Sequence, residues 1–220
     1  MNSSLVGKLA PLSGIIMVVL WLAGIVLIPG GFSYTLTPDQ AWQAFSANPG
    51  RVQAGALLAG WYSVVFFIAF AGSVFDALRR AEAKEGPFAA IGFGGAVVSA
   101  FAFAAANGLL WMAGNRAGRP GGVSVEYAVV MNDLYSALLA NVLSVGLAAF
   151  LGGSGIAALR TRTFPAWLGW VSVVFGVGLL SPIHWIFEGL FTIWVIVVSL
   201  LIYKRNQGFE REPTRVMEER

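Results

Sequence analysis

The chain has 220 residues, of which 57% are apolar and only 11% charged. A soluble domain uses about 25% charged residues to cover its surface, so this composition excludes a water-surrounded globule and points to an outer surface that meets lipid. One His and no Cys exclude disulfides and thiolate chemistry, a His-rich zinc site and a bis-histidine haem held within the chain. The net charge of +3 is small and the basic residues sit between apolar runs, which marks topology rather than a nucleic-acid surface.

A spanning helix needs about 20 mostly apolar residues. Leu9 to Pro38 carries no charge and predicts a first span over about 11–31. Lys8 gives this span a basic flank, and no A-x-A site precedes Pro29-Gly30-Gly31, so it reads as an uncleaved span rather than a signal peptide. Next comes Thr37-Pro38-Asp39-Gln40. Thr is suited to an N-cap, Pro to the first helical position and Gln to the third. This predicts a short helix over 38–47 lying on the membrane surface, with Trp42 and Phe45 on one face.

Val52 to Phe75 and Gly86 to Asn115 are also free of charge and predict spans over about 53–77 and 87–112. Asp76 ends the first of these, with Arg79 and Arg80 one turn on to pair with it. The connection Arg79–Glu85 reads as solvated, and GNRAGRPGG (Gly114–Gly122) as flexible. A fourth span over about 128–158 looks long, with Gly152-Gly153-Ser154-Gly155 as the place to bend or fray. From Thr163 to Tyr203 there is no Lys or Arg and only one acid, Glu188. One straight helix of that length would be roughly 60 Å long, about twice the hydrocarbon thickness. The stretch must fold back, and Ser181-Pro182 reads as the N-cap and first residue of a new helix. That gives spans over about 164–181 and 182–203, then a charged tail, 204–220.

The fold class is therefore an all-α polytopic bundle of six transmembrane helices. With the N-terminus inside, eleven basic residues fall in the cytoplasm (among them Arg79, Arg80, Arg160, Arg162, Lys204 and Arg205) and three, Arg51, Arg116 and Arg119, fall outside. This is the positive-inside bias, and it puts both termini in the cytoplasm and the chain in a cell membrane.

Between membrane helices small residues permit close approach. The third span has one at every fourth position, Gly92, Ala96, Ala100, Ala104 and Gly108. The fourth repeats the pattern with Ser136, Ala140, Ser144, Ala148 and Gly152. Two grooved faces are expected, packing on each other or receiving a helix of another protein or a lipid chain. The segments Gly60–Phe66 and Gly169–Phe175 echo one another; an inverted repeat and a chance match in an apolar vocabulary both fit.

Ionisable residues inside a span are costly and each needs a reason. Asn107, Asp133, His184 and Glu188 fall at similar depth near the outer side, His184 and Glu188 one helical turn apart. They read as a polar pocket for a small polar solute, a cation or a proton, as a hydrogen-bond network between helices, or as residues at headgroup level. Their spacing specifies no metal. There is no nucleophile elbow, H-E-x-x-H or phosphate loop, so no catalytic residue and no cofactor is expected.

The segment Arg160–Trp170, RTRTFPAWLGW, resembles the R-x-G-x-F-P-x-W-L-G-W stretch of a family of uncharacterised bacterial multi-pass membrane proteins of about this length, with Thr163 where that family carries Gly. The resemblance implies the membrane class and a bacterial inner membrane, and no activity. Small size, grooved helices and the absence of a site motif lead to a non-enzymatic accessory or scaffolding subunit of a larger membrane complex, its partners the bilayer and another membrane protein or further copies of itself. The alternative is a small transporter or channel using the polar layer.

Overall fold

The computed structural model describes residues 10–28, 36–82 and 86–208, with the side chains of 206–208 excepted. Every element among them is helical. Helix α1 is Ala10–Leu27, α2 Pro38–Ser46, α3 Pro49–Glu82, α4 Phe88–Ala117, α5 Val125–Thr161, α6 Ala166–Leu179 and α7 His184–Gly208. Five of these, α1, α3, α4, α5 and α7, are long and apolar enough to cross a membrane. The protein is a membrane-embedded helical bundle. The fifth expected span is α6, an apolar helix of 14 residues, about 21 Å long.

The helices begin and end where local chemistry directs. The Thr37 hydroxyl accepts from Gln40 N while the Gln40 side chain accepts from Thr37 N, completing the expected capping box of α2. Asn48 and Ser124 cap α3 and α5 through their side-chain oxygens. Glu82 does the same for α4, accepting from Phe88 N at 3.3 Å and Ala89 N at 3.2 Å, so part of the Arg79–Glu85 connection is a helix cap rather than plain solvated loop. Asp76 and Arg80 form the expected pair, at 2.6 Å and largely exposed. Such a pair contributes little stability.

Four expectations change. Helix α2 does not simply rest on a membrane surface: Ala41 and Phe45 are buried against the bundle, and Trp42 Nε1 donates to Val123 O at 3.1 Å. GNRAGRPGG begins as helix, since α4 runs through Ala117, and only its second half is a turn, which Gly121 and Gly122 close at φ 88° and 57°, a backbone only Gly adopts cheaply. Helix α5 is continuous through Gly152–Gly155 and does not fray there; its irregular turn is a π-helix at Leu138–Leu143, matched by another at Leu57–Tyr62 in α3. Finally, Ser181-Pro182 does not start a helix. The Ser181 hydroxyl turns back to Gly178 O at 2.6 Å, the chain folds over residues 180–183, and α7 begins at His184.

Helices α4 and α5 are packed side by side, but not along the expected stripes. A Cβ on Gly95 would meet Phe150 N at 2.5 Å and Gly146 O at 2.6 Å, and one on Gly153 would meet Gly92 N at 2.6 Å. Ser99 lies against Gly146. The contacts thus run Gly92, Gly95, Ser99 on one helix and Gly146, Phe150, Gly153 on the other. A residue at every fourth position drifts about 40° per step, so a stripe of five leaves its starting face. Gly176 of α6 consequently packs against the backbone of Ala148 and Gly152, while the Cβ positions of Gly108 and of Gly152 itself meet nothing within 4 Å. Ala96 and Ala100 are buried; Ala104, Ser136 and Ala140 are only half-buried. Gly155 and Gly169 complete the α5–α6 seam.

A cluster of rings from three helices fills the bundle's middle: Phe67 and Phe70 of α3, Phe150 of α5, Phe191 and Trp194 of α7, mostly edge to face at 5.6–6.5 Å. Trp194 Nε1 donates to Ser172 Oγ at 2.8 Å, tying α7 to α6. Arg79, Arg80, Arg160 and Arg205 gather at one end, where Arg160 lies over the Phe88 ring. Helix α2 and the α4–α5 turn with Arg116 and Arg119 form the other.

A carboxylate at the central cavity

Glu188 reaches the bundle interior because of how α6 returns into α7. At the turn, Gly178 leaves room for the Phe187 ring, where a Cβ would sit within 2.5 Å of ring atoms. Phe187 in turn stacks edge-on to Phe175 at 5.8 Å. This contact fixes the rotation of α7. With Phe187 against α6, Glu188 points toward α5, and Ser144 Oγ donates to Glu188 Oε1 at 3.0 Å.

Ser144 owes its place to the π-helix that ends beside it. The turn inserts one residue, so Ser144 Oγ also lies 3.3 Å from Leu139 O, five residues back. A hydroxyl has one proton and serves one of these acceptors at a time. On α3 a serine again follows a π-helix, but its bond reaches four residues back rather than five. Ser63 follows the other π-helix and its hydroxyl donates to Ala59 O. Ser99 Oγ donates to Gly95 O at 2.9 Å, with Leu143 O 3.5 Å away.

Around Glu188 lies a cavity of about 50 Å³. Its polar groups are Glu188, Ser63 and Ser99, and its rings are Trp21, Phe67, Phe103 and Phe191. Met17, Leu143 and Leu147 complete the wall. Helices α1, α3, α4, α5 and α7 all contribute. Since roughly 10–15 Å³ on this measure suffices for a water, the cavity is large enough for a few waters or one small ion. Glu188 also borders a cleft of about 210 Å³ between α1, α5 and α7, where Trp21, Phe103 and Leu143 recur and Trp185 and Gly189 form the mouth. Beyond the Glu188–Ser144 bridge is a recess of about 340 Å³ holding Asn141, Ser144 and His184.

The four residues expected to share a pocket are divided. Glu188 is at the cavity, and His184 is one turn away in the adjoining recess. Asn107 is wholly buried elsewhere: its Nδ2 donates to Phe103 O at 2.9 Å, its Oδ1 has no hydrogen-bond partner, and its side chain fills the space beside Gly60 in the π-helix of α3. Asp133 is exposed, about 16 Å along α5 from Ser144. Gly60 and Gly169, the heads of the repeated segments, occupy unlike places, a π turn against Asn107 and a regular helix against Leu159.

The sequence alone misses Ser63, Ser99 and Trp21, and it gives Ser144 only a packing role. Trp21 carried a signal, since it falls mid-span rather than at an interface where Trp usually sits. Among the described residues no three His, Asp or Glu lie close enough to hold a metal ion. Comparison with protein-family models, curated proteins and solved structures finds no match to this chain.

Proposed function

We propose that this protein is a small, non-enzymatic membrane transporter or channel that binds a cation at Glu188, in a six-span arrangement with both termini in the cytoplasm. The observation that carries the reading is a carboxylate set at a cavity where five helices meet, flanked by two π turns. A carboxylate inside a membrane is costly and is retained where it serves a pathway or a ligand. Turns of π type inside longer helices are frequent at functional sites.

Basic residues support the orientation, with Arg79, Arg80, Arg160, Arg162, Lys204 and Arg205 set against Arg51, Arg116 and Arg119. About 27 Å of helix separates Arg79 from the exposed Trp61, close to the thickness of a bilayer core. On this reading α6 crosses with its flanking turns, anchored by the exposed Trp167 and Trp170. The RTRTFPAWLGW segment is the ground for placing it in a bacterial inner membrane.

The accessory-subunit reading is the alternative: α4–α5 and α5–α6 packing uses only part of the small-residue faces, and the Cβ positions of Gly108 and Gly152 stay open. The test is flux through proteoliposomes with sodium, potassium, proton and organic-cation gradients. Flux of at least one cation is expected from the natural chain, falling at least tenfold in Glu188→Gln while the elution profile in detergent stays the same. Equal flux in the two proteins overturns the assignment of Glu188.

A further inference from the structure

We propose that the ligand at Glu188 is a small organic ammonium ion, entering sideways between α1, α5 and α7. This rests on the cation-site reading above and names its substrate class. The choice among cations follows from what the wall offers. A desolvated alkali or alkaline-earth ion needs six to eight oxygens to replace its water. Here the lining side chains provide only the two oxygens of one carboxylate and the hydroxyl oxygens of Ser63 and Ser99, too few for such a shell. The rest of the surface is apolar or aromatic.

That is poor chemistry for a bare metal ion and good chemistry for an alkylammonium, whose charge is spread over methyl groups and whose shell of water is weakly held. Ring faces attract such a cation through their quadrupole, and grouped rings with a nearby carboxylate form the usual cage for it. Trp21, Phe67, Phe103 and Phe191 come from α1, α3, α4 and α7, so they surround the position from different sides. Trp21 and Phe103 meet edge to face at 6.5 Å and line both the cavity and the cleft. The cleft therefore leads from the bundle's flank to Glu188 past rings, with Gly189 at its mouth, where a Cβ position has no neighbour within 4 Å. Its size, about 210 Å³, suits a trimethylammonium head with a short substituent.

The experiment is titration calorimetry on the purified full chain in detergent, with choline and its neutral isostere 3,3-dimethyl-1-butanol. Choline is expected to bind saturably, the isostere at least tenfold more weakly, and a hundredfold excess of sodium or potassium is expected not to displace choline. Glu188→Gln should abolish binding. Trp21→Leu and Phe103→Leu, on separate helices, should each weaken choline at least tenfold without changing the circular dichroism spectrum, so that failure of one variant to fold leaves the other as the probe. If sodium or potassium binds at a site lost in Glu188→Gln while choline does not bind, the substrate class is overturned and the cation site stands. If no cation binds and Glu188→Gln changes no flux, both fall. Equal affinity for choline and its isostere also overturns the proposal, because it leaves the charge without a role.

Discussion

Asn107 and Glu188 are both polar groups within the bundle, and their surroundings give them different work. Asn107 is sealed between α3 and α4, with its amide nitrogen bonded to its own helix and its Oδ1 unpartnered. A buried unsatisfied oxygen costs about 1–3 kcal/mol, so replacing the amide by a hydrocarbon of similar volume removes a penalty. Asn107→Leu is expected to keep or raise the thermal midpoint in detergent and to leave cation flux within about twofold. A tenfold loss of flux with unchanged midpoint would instead make Asn107 part of the pathway. Glu188 was legible in the sequence because it is the only acid in the long apolar stretch from Thr163 to Tyr203. Its companions were not. Phe67, Phe103 and Phe191 belong to a chain with 16 Phe, and nothing in composition separates a ring at a cavity from a ring in the core.

At the scale of elements, helix positions followed from runs without charge, since a bilayer imposes its thickness on every crossing. Packing faces did not follow, because a spacing of four does not stay on one face of a helix with 3.6 residues per turn. The π turns at Leu57–Tyr62 and Leu138–Leu143 shift each face again. They left no mark in composition, since π and α turns draw on the same residues. The distinction can be checked with two glycines. Gly95→Ala places a methyl 2.5 Å from the backbone nitrogen of Phe150, and such overpacking costs about 1–3 kcal/mol. Gly108→Ala meets open space and gains about 0.5–1 kcal/mol of helix propensity. Thermal unfolding followed by circular dichroism should therefore show Gly95→Ala melting earlier and Gly108→Ala no earlier than the natural chain. The reverse order would restore the every-fourth-residue face.

For the whole molecule, the absence of Cys in the sequence makes sidedness directly measurable. Single cysteines at Arg119 and at Arg162, at opposite ends of the bundle, should behave oppositely toward a membrane-impermeant maleimide in intact cells. Arg119→Cys is expected to label and Arg162→Cys to label only after permeabilisation. The reverse pattern would invert the orientation proposed above, and labelling of both in intact cells would break the six-span count. The sequence left that count to α6, whose 14 residues are fewer than a helix needs to cross unaided.

The brevity of α6 has a consequence for the lipid around it. Helix α5 beside it has 37 residues, about 55 Å, while α6 offers about 21 Å of regular helix before the chain turns at Leu180. Acyl chains on that flank have to shorten or tilt to meet it. On the proposed six-span arrangement, such thinning would bring headgroups and water toward the recess where Pro182 and His184 border Ser144.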